Sequence, residues 1–340
     1  MLRSVKNTSA AEERRLHGLL VAELSAAGCF RRAPFHSIAY ATFILGAYAT
    51  AYGALLTDPG IVARALAIVV LAALCVHGAF FSHEAGHGAL TGNRRLATGA
   101  GLVSATLLTG FCYVYFQHFH RPHHRHTNGR AHDPDMQSAL FTLYAQSAIG
   151  KSWFGRLITR HQAVLIWILI WLQGLTLKID SLVFLARNLR STRAEQMVLV
   201  LHYAMWLVVP AFVIGFADAW LNYGVITLLI GGNTGAIFLV NHIGTRVVEP
   251  EERESFFLRE IEVTRNLGTS RLVGILIGGL NNHIEHHLFP AMPTARLPRA
   301  RVITREFCHR HGIAYREMSY LEAAREVTRH FKAMSTLVPA

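Results

Sequence analysis

Three short stretches of this chain concentrate histidine at the spacing of ligands on a helix. His83 and His87 stand in HEAGH at 83–87, an i,i+4 pair that one helix face can present to a single metal or to two neighbouring metals. His120, His123 and His124 fall in QHFHRPHHRHTN at 117–128, and His283, His286 and His287 in NNHIEHHLFP at 281–290. Both contain H-x-x-H-H. Asn241 and His242 form a further candidate region in FLVNHIGT at 238–245. Imidazole suits Zn, Fe, Cu and Ni alike, so ligand type leaves the metal open. Number narrows it. A zinc hydrolase needs three protein ligands and an open position, whereas these clusters together with His242 suit two metals. HEAGH also fits H-E-x-x-H, the helical signature of zinc peptidases with Glu84 as base. That alternative leaves both H-x-x-H-H stretches unused, and no Asp-Gly dipeptide occurs to supply the further ligand usual in intramembrane zinc proteases. The isolated histidines (His17, His36, His77, His161, His202, His309, His311, His330) read as hydrogen-bonded or interfacial side chains. Pro122 forbids a regular helix running through the second cluster, so a helix is expected to start there with proline in its first turn.

The elements that must position these clusters are apolar. With 52% hydrophobic and 16% charged residues, the chain departs from a soluble globular domain. Residues 36–57, 61–82, 198–217 and 219–240 each approach the ~20 residues a helix needs to cross hydrocarbon. They form two hairpins, turning at TDPG (57–60) and near Asp218. Neither turn carries Lys or Arg, and the flanks outside the hairpins carry nearly all of them, which places the outer ends in the cytoplasm. Two further runs, 96–116 and 162–177, are ambiguous. A single crossing by 96–116 would put the histidines before and after it in opposite compartments, so both runs read as buried, re-entrant or interfacial helices. The fold class expected is therefore all-α integral membrane, with about four transmembrane helices, interfacial helices and a cytoplasmic histidine-rich helical cap.

Residues 1–35 read as a polar, basic cytoplasmic segment without a cleavable signal peptide, 36–300 as the membrane domain, and 301–340 as a cytoplasmic helical extension. The four cysteines are scattered and form no C-x-x-C pair, so neither a disulfide framework nor a cysteine zinc site is expected. The net charge of +12 points to anionic partners: membrane lipid, a phosphate-bearing substrate or an acidic protein. Nucleic acid is not expected, because the basic residues are dispersed and no binding motif accompanies them.

The three stretches, in this order and at these separations, resemble the boxes of the integral-membrane fatty acid desaturases and hydroxylases. HEAGH matches the first box, H-x(3–4)-H. HRPHH followed by RHTN matches the second, with the trailing Thr-Asn of acyl-lipid and bacterial members. HIEHHLFP matches the third, (H/Q)-x-x-H-H, and GGLNNHIEHHLFP is similar to front-end desaturases, which usually begin that box with glutamine where this chain has His283. The resemblance covers about residues 35–300.

It implies a non-haem di-iron centre ligated by His83, His87, His120, His123, His124, His242, His283, His286 and His287. O2 would be the co-substrate, and an unactivated methylene of a fatty acyl chain the target. Acyl-lipid, acyl-CoA and acyl-carrier-protein substrates all remain open, as do acyl hydroxylation, acetylenation and carotenoid or sphingolipid oxidation. Electrons would come from a separate ferredoxin or cytochrome b5-like donor, since no haem-binding, flavin or nicotinamide fingerprint is visible. Asn241 or Asn282 would hold a metal-bound water. Glu84 and Glu285 read either as carboxylates orienting imidazole N–H groups or as ordinary ion pairs. Asp133 and Asp135 read either as partners of His132 or the second-box histidines or, preferably, as a turn with Pro134.

Overall fold

Helices make up nearly all the regular structure of the computed structural model, which describes residues 9–57, 60–250, 252 and 256–337. In chain order they are α1 (Ala10–Ala26), α2 (Pro34–Leu56), α3 (Gly60–Gly86), α4 (Arg94–Gly101), α5 (Tyr113–Arg125), α6 (Trp153–Leu169), α7 (Gln173–Arg187) and α8 (Arg193–Tyr203). There follow α9 (Val209–Val213), α10 (Phe216–His242), α11 (Phe256–Val263), α12 (Arg271–Leu276), α13 (His283–Leu288), α14 (Leu297–Arg310) and α15 (Tyr320–Ser335). A π-helical segment, Leu102–Thr109, extends α4, and another, Ala204–Val208, joins α8 to α9. The two-residue strands β1 (Asn266–Leu267) and β2 (Glu317–Met318) pair in parallel. This is the all-α class expected.

Among the described residues, five stretches are long and apolar enough to cross a membrane: Pro34–Leu56, Gly60–Gly86, Trp153–Arg187, Arg193–Val213 and Phe216–His242. Four overlie the predicted spans. At 1.5 Å per residue, a helix the length of α3 or α10 reaches about 40 Å, more than the hydrocarbon needs. The fifth covers 162–177, which the sequence reading kept on one side of the membrane. It qualifies because the helix recruits polar-flanked residues at both ends, through the short 3-10 turn Ile170–Leu172, to a length of 35 residues. The run 96–116 is not one straight helix: Arg94–Thr109 and Tyr113–Arg125 meet at a bend of 110°. The second hairpin breaks at Gly215, whose φ of 92° suits glycine. Asp218 lies within the first turn of α10, paired with Arg64 at 2.7 Å. In the first hairpin turn, Asp58 and Pro59 lie outside the described residues.

The chain divides into two units, each assembled from separated stretches. An apolar unit takes residues 32–118 and 169–236, and a histidine-rich unit takes 119–168, 237–340 and the stretch through Arg31. In the apolar unit α7 and α10 touch backbone to backbone. A Cβ at Gly174 would fall on the Thr227 carbonyl, and one at Gly231 on the Gly174 amide, so glycine is what permits the approach.

Among its described residues, the histidine-rich unit shows two apolar cores. In one, Leu16, Leu20 and Leu24 of α1 pack with Phe257 and Ile261 of α11, Ile284 and Leu288 of α13, and Phe307 and Cys308 of α14. The N-terminal helix and the C-terminal stretch thus contribute to one core. Buried Glu13 ties α1 to α11 further by accepting a hydrogen bond from the Leu258 amide at 2.8 Å. In the other core, α15 presents Ala323, Val327 and Phe331, an i,i+4,i+8 stripe, to Ile166 and Val240. Its start is fixed by a capping box between Ser319 and Glu322.

Candidate metal centre

Three short elements of the histidine-rich unit carry seven of the nine expected ligands. The first is the last two turns of α5. This helix begins at Tyr113, well before the predicted start, and Pro122 sits inside its last turn. Proline removes one i→i−4 hydrogen bond and crowds the carbonyl four residues back, a loss a helix tolerates close to its end. The helix closes three residues later, with the His126 amide donating to the Pro122 carbonyl at 2.9 Å. His120, His123 and His124 are all buried. The second element is the final turn of α10, which delivers Asn241 and His242, both buried. The third is α13, whose residues His283 to Leu288 are all buried. Its first turn is held from outside: the Asn266 side chain accepts from the Ile284 amide at 2.8 Å and donates to Glu285 at 2.8 Å, and Tyr315 donates to Glu285 at 2.8 Å. Glu285 therefore acts on box three through Asn266 and does not hold an imidazole.

The imidazoles face one another. The Nε2 atoms of His120 and His124 are 2.9 Å apart, those of His124 and His286 3.1 Å, and those of His242 and His283 2.7 Å. A metal–imidazole bond of about 2.0–2.1 Å places neighbouring ligand nitrogens roughly 3 Å apart at right angles. Two groups emerge. Ligand nitrogens of His120, His124 and His286 lie within 4.8 Å of one another, as do those of His123, His242 and His287. The rings of His124 and His287, stacked with centroids 4.2 Å apart, join the two groups.

Carboxylates set the tautomers. Asp133, fully buried, brings Oδ1 and Oδ2 to 3.0 and 3.1 Å from His123 Nδ1, and Asp135 lies 3.1 Å from the same nitrogen. Asp133 also accepts from the amides of Asn128 at 2.7 Å and Asp135 at 2.9 Å, so it orients a box-two histidine and makes the turn at once. It accepts from no atom of His132, whose ring instead lies against His126 with centroids 5.1 Å apart. Glu260 and Thr127 stand 3.1 and 3.2 Å from His287 Nδ1. A proton held on Nδ1 leaves the Nε2 lone pair free for a cation. Burial pushes the His283 imidazole down to about 3, pushes His287 down as well, and raises the Glu260 carboxyl to about 7.

The residues fit a metal on a further observation. His287 Nε2, the ring nitrogen opposite the one that faces Glu260, is buried without a hydrogen-bond partner. Unsatisfied nitrogen in a dry interior is costly, and a cation taking lone pairs there offsets the cost. Asn241 Oδ1 is likewise buried without a partner, while its amide nitrogen donates to the Leu280 carbonyl at 3.4 Å. Asn282 is spent locally, donating to Gly279 O at 3.1 Å and accepting from Arg301 at 3.3 Å.

The remaining two expected ligands lie in the apolar unit. His83 lies in the last turn of α3 and His87 one residue past its end, with ring centroids 4.7 Å apart. A Cβ on Gly86 between them would fall on the end of the Gln117 side chain of α5, which would have to move aside. Glu84 is buried beside them. Sequence reasoning missed Glu260, Thr127 and Asn266. Thr127 could have been found from the Thr-Asn after box two, but nothing in the local sequence singles out Glu260 or Asn266.

Apolar helices of spanning length, with clusters of buried imidazoles facing one another, describe a membrane protein whose histidines could hold metal. The profile of the family described as "Fatty acid desaturase" matches residues 59–319. The chain belongs to the fatty acid desaturase family, a family of oxidoreductases acting on fatty acyl chains. Among its curated relatives, "Acyl-lipid 8-desaturase" of Rebecca salina is 28% identical, over 65% of this chain and 51% of that protein. "Delta(8)-fatty-acid desaturase" of Borago officinalis is 24% identical, over 89% and 71%. "Fatty acid desaturase 3" of Bos taurus is 27% identical, over 81% and 62%. The chain thus spans about half the length of the first of these and up to about seven tenths of the others. Membership of this family removes the zinc-peptidase alternative for HEAGH.

Proposed function

We propose that this protein is an O2-dependent membrane desaturase that introduces a double bond into a fatty acyl chain. His83, His87, His120, His123, His124, His242, His283, His286 and His287 hold two iron ions on the cytoplasmic side of the membrane, and a separate ferredoxin or cytochrome b5-like protein supplies electrons. The observation that carries the reading is the pair of adjoining groups of buried imidazoles, with nitrogens 2.7–3.1 Å apart, in a chain of this family. The name of the relative from Rebecca salina favours an acyl-lipid substrate.

Bound iron would supply redox chemistry with O2, which an unactivated methylene demands because it offers no acidic proton to a base. The protein's own residues do the rest. Asp133 and Glu260 keep protons on Nδ1 of His123 and His287, so that Nε2 faces the ions. Asn266, Glu285 and Tyr315 lock the first turn of α13. Dense burial of the imidazoles keeps bulk water from the reacting carbon.

Expression in a host of known lipid composition, followed by mass spectrometry of the fatty acids with double-bond localisation, tests this reading. New unsaturation that disappears in a His286→Ala variant is the expected result. New hydroxy acids would assign hydroxylation instead, and an unchanged lipid profile would contradict the proposal.

A further inference from the structure

The bend between α4 and α5 breaks a helical path inside the apolar unit and leaves backbone groups that no intrahelical bond can satisfy. Side chains from four other helices meet them. On the carbonyl side, Lys178 Nζ donates to Thr109 O at 2.6 Å and His202 Nδ1 to Leu107 O at 2.7 Å. Tyr48 and Cys75 both reach Leu108 O, at 3.3 and 3.4 Å. On the amide side, the Glu195 carboxylate accepts from the amides of Tyr113 and Val114, the latter at 3.2 Å to each oxygen. Thr106 Oγ1 and Cys112 Sγ donate to the same carboxylate at 2.8 and 2.9 Å, and Ser181 Oγ accepts from the Cys112 amide at 2.9 Å. Gly110, with φ of 79°, makes the corner. A Cβ there would fall on His202 and Lys178.

The signs of the two charges match the helix ends they meet. A carbonyl end carries about half a negative charge and an amide end about half a positive one. Lys178 stands at the first and Glu195 at the second, 6% and 2% exposed. Among the described residues neither has an oppositely charged side chain at ion-pair distance. A charge buried this deeply persists only where strong hydrogen bonds replace its water, and here the helix ends supply them.

We propose that Glu195 and Lys178 are positioning residues: by gripping the two helix ends at this corner they fix where α5 begins, and so where His120, His123 and His124 lie along it. The proposal rests on the reading of those histidines as metal ligands. An α-helix transmits such placement rigidly, since a slip of one residue turns every later side chain by about 100° and advances it by about 1.5 Å.

The test uses the full-length protein in detergent or nanodiscs, as wild type and as Glu195→Ala, Glu195→Gln, Lys178→Met and Arg64→Ala. The last removes an ion pair with Asp218 elsewhere in the apolar unit and serves as the stability control. Hydrogen exchange over residues 113–117 reports the grip, and metal affinity by chelator competition, with the Mössbauer or EPR signature, reports ligand placement. In Glu195→Ala exchange rises about tenfold and affinity falls about tenfold with a changed signature. Lys178→Met moves the same readouts in the same direction. Glu195→Gln is intermediate, because its amide oxygen still accepts from the Tyr113 amide without the charge. Arg64→Ala leaves exchange and signature at wild-type values whatever its melting temperature. Unchanged exchange in Glu195→Ala, or a signature change no larger than in Arg64→Ala, overturns the proposal. Should Glu195→Ala not fold, the same criteria apply to Glu195→Gln. A wild type without bound metal would refute the histidine reading instead, and exchange at 113–117 would still decide whether Glu195 grips the corner.

Discussion

Asp133 shows how much a single carboxylate can fix. With no exposure at all, it accepts from His123 Nδ1 and from two backbone amides of its own turn, tying the box-two imidazole to the loop that follows it. An amide in its place would turn N–H toward His123 and favour the tautomer that puts the proton on Nε2, the nitrogen a metal needs. Asp133→Asn is therefore expected to lower metal affinity about 10–100-fold, measured by chelator competition, with helical content unchanged. Glu260→Gln should act in the same direction through His287. Wild-type affinity in both variants would show that these carboxylates do not orient ligands. At this scale the sequence was readable where chemistry repeats at helical spacing, as in the three boxes. It was silent on Glu260, which reaches His287 from 27 positions away through burial alone.

Among the elements, the least expected is α5. Proline suggested a helix starting at Pro122, yet the helix starts at Tyr113, because its amide end is satisfied by Glu195 from α8. A tertiary cap of that kind leaves no local mark in the sequence. Length misled in the same way at 162–177, where a mostly apolar run of sixteen residues hid a helix that continues through polar flanks to 35 residues. The four other spans were legible because each is one uninterrupted apolar run. The C-terminal helix was legible as a helix, from its charge spacing, but its role was not. Phe331 is fully buried, packed with Phe141 at 5.9 Å between centroids, and α15 shares a core with α6 and the end of α10. Phe331→Ala should cost about 3–5 kcal/mol, seen as a lower apparent melting temperature in detergent and faster proteolysis of the last forty residues. A melting curve identical to wild type would mean that α15 is an appendage and not part of the core.

Across the whole molecule, imidazole is presented from short segments distant in sequence, each a helix end or a short helix. The net charge of +12 suits the anionic partners of the proposed function, membrane lipid and an electron-donor protein. The order and spacing of the boxes made the family readable from sequence, whereas the carboxylates and caps that aim the boxes emerge only from the fold. The central claim is that these histidines bind a pair of redox-active ions. Metal analysis of full-length protein, purified without chelator from iron-replete cells, measures this most directly. The account predicts two irons per chain, falling to near zero in a His124→Ala/His287→Ala double variant that keeps its helical content. One zinc per chain, or protein that desaturates acyl chains while holding no iron, would contradict it.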